Sequence, residues 1–426
     1  MKEIRLKKIT NKIGSGATPT GGKSAYKEEG ISLIRSLNVY DYSFSYENLA
    51  YIDEVQAKKL SNVEIHENDI LLNITGASVG RCCKVPRQII PARVNQHVSI
   101  VRVDNNCANV DYILYYINSP HNKLRLLNIA QGGATREALT KEAIENFIVE
   151  LPDNNAQDFI ANILSSYDNL IENNNRRIAI LEEMAQRLYR EWFVHFRFPG
   201  HENVKMVESK LGLIPENWHN FKIENIVSFN RGKSYRSSEI NVEDGVPFIN
   251  LKNIRAYGGF NKGGTKLFDG IYKESHKVRP GDIVMAVTDM TQERRLVGQV
   301  ARVPNMKSDY AIISMDLIKL IPFQAQNSVY VYSLLRYSNL SRKIAGFANG
   351  ANVLHLDPEL VLQQDFIMPD DDTIKRFTSL VESLYNSVDI CEEKNETLRK
   401  TRDHLLPRLI SGDIDVSKLC VKIIKE

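Results

Sequence analysis

Ile160-Ala-Asn-Ile-Leu164-Ser-Ser-Tyr167-Asp-Asn-Leu-Ile171-Glu-Asn-Asn174-Asn-Arg-Arg-Ile178-Ala-Ile-Leu181-Glu-Glu-Met-Ala185-Gln-Arg-Leu188-Tyr-Arg-Glu-Trp192 repeats two seam positions every seven residues. Leu164, Ile171, Ile178, Ala185 and Trp192 hold one; Ile160, Tyr167, Asn174, Leu181 and Leu188 hold the other. That spacing is the seam of a coiled coil, a stripe too narrow to be stable unless another helix covers it. A second seam lies near the far end of the chain, formed by Phe377, Leu384, Cys391, Leu398 and Leu405 with Val381 and Val388 beside them. Polar residues interrupt both: Asn174 in the first, Asn395 and Arg402 in the second. Such interruptions cost stability but fix register and partner. Asp153 and Asp372 are the predicted N-caps. Pro199-Gly200 follows the first helix, and Pro407 and Gly412 mark the end of the second.

The sequence before each helix is also said twice. Pro152 and Pro369, Gly133 and Gly350, and Leu139 and Leu356 are three pairs, each 217 residues apart. The strand predicted at Ile31-Ser-Leu-Ile34 after Gly30 is matched by Gly245-Val-Pro-Phe-Ile249. Glu67-Asn-Asp-Ile-Leu71 is matched by Pro280-Gly-Asp-Ile-Val284. Apolar residues fall at helical spacing over 110–118, the stretch 330–337 corresponds to 113–120, and a short helix is expected between Leu139 and Phe147. The pattern predicts an α+β protein of two similar domains, each about 150 residues, separated by two long antiparallel coiled-coil helices in a pseudo-two-fold arrangement. A helix of about 40 residues spans about 60 Å, one to two turns of duplex DNA at about 34 Å per turn. Two unrelated domains with separate helices, or a coiled coil between chains, are the other arrangements that would cover these seams.

Composition narrows the function. The 426 residues exceed one ordinary core. Apolar runs such as 283–287 and 330–335 are strand- or turn-sized, far short of a membrane span. Met1-Lys-Glu-Ile-Arg5 enters charged sequence without an apolar leader, and the five cysteines show no disulfide or zinc spacing, so a cytoplasmic, non-membrane protein is expected. The net charge of +3 is small for a chain that binds nucleic acid tightly alone. Weak binding by the isolated chain, with a steeper salt dependence once a partner adds phosphate contacts, is therefore expected.

The catalytic inventory is empty. Gly16-Ala-Thr-Pro-Thr-Gly-Gly-Lys-Ser24 looks like a phosphate loop, but Ala17 stands where that pattern needs its first glycine. There is no Pro-Pro for an amine-methylating motif and no His-Glu-x-x-His; Gly76-Ala-Ser-Val-Gly80 has the Gly-x-Ser-x-Gly spacing, but no helix is predicted after it, as that nucleophile turn requires. Asp370-Asp-Asp372 is better explained by helix capping than by a metal. No cofactor and no metal are expected on this chain.

At this point the chain resembles the specificity subunits of type I restriction–modification systems, over nearly its whole length. The most characteristic part is Leu398-Arg-Lys-Thr-Arg-Asp-His-Leu-Leu-Pro-Arg-Leu-Ile-Ser-Gly-Asp-Ile414. Asn169-Leu-Ile-Glu-Asn-Asn174 through Glu191-Trp-Phe-Val-His-Phe196 is similar to the family's central spacer, and Gly212-Leu-Ile-Pro-Glu-Asn-Trp218 to the entry of its second recognition domain. Gly16-Ala-Thr-Pro19 and Gly232-Lys-Ser-Tyr235 resemble the openings of recognition domains; the first domain departs from the pattern in lacking a Pro-x-x-Trp entry. The resemblance implies a target recognition domain at 1–152, a spacer helix at 153–198, a linker at 199–218, a second recognition domain at 219–369, a C-terminal spacer helix at 370–412 and a tail at 413–426. It also implies a non-catalytic subunit that reads a bipartite, interrupted target in double-stranded DNA. Two methyltransferase subunits would dock on it, with motor–nuclease subunits in the restricting complex. Those partners, not this chain, would use S-adenosylmethionine, ATP and Mg. The rival function is a coiled-coil adaptor that binds proteins without sequence-specific DNA binding.

Base reading needs forked donors and acceptors on a rigid scaffold, chiefly Arg, Lys, Asn and Gln. Three loops per copy offer them. The first supplies Arg35, Ser36 and Asn38, against Asn250, Lys252, Asn253 and Arg255. The second supplies Thr75, Ser78 and Arg81, against Thr288, Gln292, Arg294 and Arg295. The third, glycine-rich loop supplies Arg136, against Asn349 and Asn352. Any one of these is also an ordinary turn former or phosphate contact.

Overall fold

The computed structural model describes residues 1–132, 137–240, 242–306 and 308–416. The chain divides into two compact units, Met1–Asn173 with Asn395–Glu426, and Asn174–Lys394. Both boundaries fall inside the long helices, because each unit holds the helical segments that pack on its own sheets.

In the first unit, strand Lys2–Arg5 pairs with Ile148–Leu151, so the first and last strands close the domain. A four-stranded antiparallel sheet runs in the order Thr10–Ser15, Val98–Val103, Ile70–Asn73, Cys82–Lys84. A three-stranded sheet runs Ala50–Ile52, Ile31–Ile34, Ala92–Val94, and its last pair is parallel. Helices Val110–Asn118 and Pro120–Gln131 follow, then the short helix Lys141–Glu145.

The second unit has the same topology. His219–Lys222 pairs with Asp365–Met368. Its four-stranded sheet runs Val227–Arg231, Leu317–Pro322, Ile283–Ala286, Val300–Arg302. Val246–Ile249 again lies parallel to Ala311–Ile313, flanked by Lys266–Phe268 and Lys277–Val278. Helices Ser328–Tyr337 and Leu340–Ala345 follow. The duplication read from the sequence is thus a repeated fold.

Alternation explains the apolar runs. Ile70 and Leu72 face one core of the first unit and Leu71 the other. Ile283 and Met285 face one core of the second unit, and Val284 and Ala286 the other. A strand covered on both faces loses its polar side and reads as continuous hydrophobicity.

The predicted helices are Asn154–Tyr189, 36 residues, and Asp371–Ile410, 40 residues. Within the first unit, Ile160 and Leu164 near the start of the first helix share a core with Leu406, Leu409 and Ile410 at the end of the second. Within the second unit, Ala185 and Tyr189 share a core with Phe377, Val381 and Tyr385. Each unit therefore holds the start of one helix against the end of the other. The first helix ends in a π-turn, Arg190–Val194, that buries the adjacent Trp192 and Phe193. Among the described residues, no helix is long and apolar enough to cross a membrane.

Three local expectations are corrected. Asp153 caps the first helix through the Ala156 N–H, but the second is capped by Asp370, not Asp372. Asp370 accepts from the Thr373 N–H and Oγ1 and from Trp218 Nε1. Burial alone would raise its carboxyl; those donors outweigh it and hold the group below its ordinary value. Asp372 lies in the first turn and pairs with Arg376. Pro407 lies inside the helix, which continues to Ile410. The helix is ended instead by Gly412 at φ 81°, a left-handed conformation suited to glycine. Finally, the stretch expected as a linker contains a hairpin, Met206–Ser209 with Gly212–Pro215.

Candidate nucleic-acid interface

In both units the first two candidate loops leave the ends of strands, the glycine loop follows a helix, and the loops are tied to one another. In the first unit the Asn73 amide donates to the Ser36 carbonyl at 2.9 Å, joining the first loop to the base of the second. The Gly76 N–H reaches the Glu137 carbonyl and the Leu139 N–H reaches Ile74, joining the second loop to the flank of the glycine loop. In the second unit the Tyr257 N–H bonds to Arg295 and the Gly259 N–H to Val300. Thr288 and Asp289 pair with His355 and Leu354 in a short ladder. Loops distant in sequence thus form one cluster per unit, the rigid support that base reading needs.

The individual side chains divide into three groups. Asn38 and Asn253 are wholly buried. Asn38 donates to the carbonyls of Ser45 and Glu47 and accepts from the Arg35 N–H. Asn253 donates to the Asn261 carbonyl and to Thr265 Oγ1 and accepts from the Asn250 N–H. Asn250 is also buried, bonded to the Lys252 N–H and the Gly264 carbonyl. These three asparagines are corrected from base readers to loop builders, because buried backbone groups have already taken their amides. Thr288, buried and bonded to Asp316 at 3.0 Å, is corrected in the same way.

A second group is aimed by neighbours. The Arg35 guanidinium lies over Tyr26 and bonds to the Asn48 carbonyl. Arg81 lies 4.9 Å from the ring centroid of exposed Tyr40. Thr75 bonds to His97 Nδ1 at 2.6 Å. Gln292 donates to the Gly350 and Ala351 carbonyls and Arg294 to that of Ala348, so both brace the glycine loop. Arg294 does so from φ 52°, a strained conformation for a residue with a Cβ. Arg295 pairs with Glu293 at 2.7 Å, and Arg255 faces Glu392 at 3.8 Å. The Asn349 amide donates to the Phe347 carbonyl.

The third group lies open or part-open: Lys252 and Asn352 are exposed, and Ser36 and Ser78 are half-buried. Arg136 lies outside the described residues.

Two kinds of residue escaped the sequence. Asp289 is wholly buried and accepts from the N–H groups of Thr291, Leu296 and Val297 and from Thr291 Oγ1. Burial alone would raise this carboxyl; those bonds hold it below its ordinary value. It is the anchor of the second unit's second loop. Tyr257, 73% exposed at φ 65° beside that loop, was also missed; its neighbours Gly258 and Gly259 were the available signal.

Residues 1–183 match the family described as type I restriction modification DNA specificity domain. The chain is 23% identical to the type I restriction enzyme MjaIX specificity subunit of Methanocaldococcus jannaschii, covering 98% of this chain and 95% of that one. It is 21% identical to the type I restriction enzyme HindI specificity subunit of Haemophilus influenzae, covering 84% and 88%. The crystal structure of a type I restriction–modification S subunit from M. genitalium matches with a TM-score of 0.55 at 15% identity, over 96% of this chain and 95% of that one. That likeness concerns the fold.

Proposed function

We infer that this chain is a specificity subunit of the type I restriction–modification kind and selects the DNA sequence on which a catalytic partner acts. The finer reading is that each unit recognises one half of an interrupted duplex target. The helices would then set the gap between halves and dock two methyltransferase subunits, joined by motor–nuclease subunits where the complex restricts. The partners would bring S-adenosylmethionine, ATP and Mg, and the complex would work in the cytoplasm.

One observation carries this reading. The same loop framework occurs twice while the side chains it presents differ, as in Ser78 and Arg81 against Gln292, Arg294 and Arg295. A duplicated binding surface for one protein partner would have no reason to vary there. Two readers of unlike half-sites would.

The test is enrichment from duplexes randomised in two blocks, using the full chain with its methyltransferase partner. The expected product is a bipartite motif. Arg294→Ala should relax the half read by the second unit and leave the other half intact, through loss of its own contacts or of the glycine-loop brace. An adaptor would enrich no motif, and an unaltered preference in the variant would remove Arg294 from the interface.

A further inference from the structure

A fourth loop enters each cluster from the neighbouring strands. In the first unit it is Asn95-Gln96-His97, between the parallel-paired strand Ala92–Val94 and Val98–Val103. In the second it is Ser314-Met315-Asp316, between Ala311–Ile313 and Leu317–Pro322.

The two loops are pinned alike by unlike residues. On one side, the threonine of the second reading loop holds the third residue: Thr75 Oγ1 to His97 Nδ1 at 2.6 Å, and Thr288 Oγ1 to Asp316 Oδ1 at 3.0 Å. Within each loop the first side chain accepts the N–H of the third, Asn95 from His97 at 3.0 Å and Ser314 from Asp316 at 3.3 Å. On the other side a glycine lies too close for any side chain. A Cβ on Gly16 would fall 1.7 Å from the Val94 carbonyl oxygen, and one on Gly232 would fall 2.0 Å from that of Ser314. Backbone bonds complete the clamp, from the Gly16 N–H to Asn95 and from the Met315 N–H to Lys233.

The side chain of the middle residue takes no part in the threonine bond or in the turn, and its chemistry differs between the copies. Gln96 carries an amide whose nitrogen lies 3.0 Å from His97 Nε2. Met315 carries an apolar thioether and is 55% exposed. A side chain on a rigid mount, beside loops that vary between copies, is suited to discrimination.

We propose that the middle residue of this fourth loop determines which base is accepted at one position of each half-site. Gln96 offers the amide chemistry that recognises adenine, and Met315 the apolar surface that recognises the methyl group of thymine. Thr75 with His97, and Thr288 with Asp316, are the positioning pairs. The proposal rests on the reading of these units as DNA readers.

The test uses the full chain with its methyltransferase partner and the two-block randomised duplexes, with melting curves to establish that each variant folds. Gln96→Met should reduce discrimination at one position of one half by on the order of 5- to 100-fold, the worth of one good base contact. Met315→Gln should do so in the other half only. Thr75→Val should weaken the position affected by Gln96→Met and leave the remaining positions unchanged. A wild-type chain that enriches no motif would overturn the underlying reading. A wild-type motif that both folded variants reproduce, or that either erodes equally in both halves, would overturn the fourth-loop proposal alone.

Discussion

Replacing Arg402 by leucine removes one side of a buried ion pair in the first unit. The Arg402 side chain is 9% exposed and bonds to Asp168 of the first long helix, itself 22% exposed. It also bonds to Asp403 at 2.7 Å and lies 4.0 Å from the ring centroid of Tyr42, while Tyr115 donates its hydroxyl to Asp168. Burial pushes the Asp168 carboxyl above its ordinary value, and Arg402 pulls it partway back. Without the arginine the carboxylate stays buried with the tyrosine alone. Breaking such a pair costs about 3–5 kcal/mol, and the residual exposure of Asp168 argues for the lower end. At about 2–4 °C per kcal/mol for a unit of this size, the melting point should fall by roughly 6–12 °C.

The pH dependence has a definite sign. A carboxyl whose folded pKa lies above its unfolded value binds more protons when folded, so stability falls as pH rises between those two values. The deficit of the variant should therefore be smallest near the ordinary carboxylate pKa and larger at pH 8. Melting followed by circular dichroism at pH 5 and pH 8 reads both effects. Asp168→Asn in the same chain removes the stranded charge and keeps an acceptor for Tyr115, so the double variant should recover most of the loss. A single variant that melts like the wild type, or a double variant no better than the single, would refute the account of Arg402 as half of a buried pair.

Two further outcomes are expected. Asn253→Ala strands the Asn261 carbonyl and the Asn250 N–H and should cost about 1–3 kcal/mol by denaturant titration, whereas a surface base reader would cost almost nothing in free protein. Gly232→Ala should destabilise the second unit more than Gly263→Ala, whose nearest contact is an ordinary 3.4 Å; equal melting points would mean that the close approach at Gly232 relaxes freely.

The seven-residue seams, the paired prolines and the Asp-Ile strands were legible because each is a local pattern, repeated at a fixed distance. The same locality limited the rest. Asn38 and Asn253 have the side chains of base readers, and no sequence pattern says that carbonyls seven to nine residues further on have taken them. Asp370 and Asp372 are equally good caps on paper, and Trp218, far away in sequence, supplies a further donor that favours Asp370.

Sequence alone determined that this protein is one α+β domain made twice, with two long helices and variable loops at matching places, since periodicity and turn chemistry are written within a few residues. Tertiary structure decided which loop side chains are consumed by the scaffold and which stand open, and it brought a fourth loop into each cluster. Burial, and the hydrogen bonds that tie one loop to another, are set by residues far apart in the chain, so only folding assigns them.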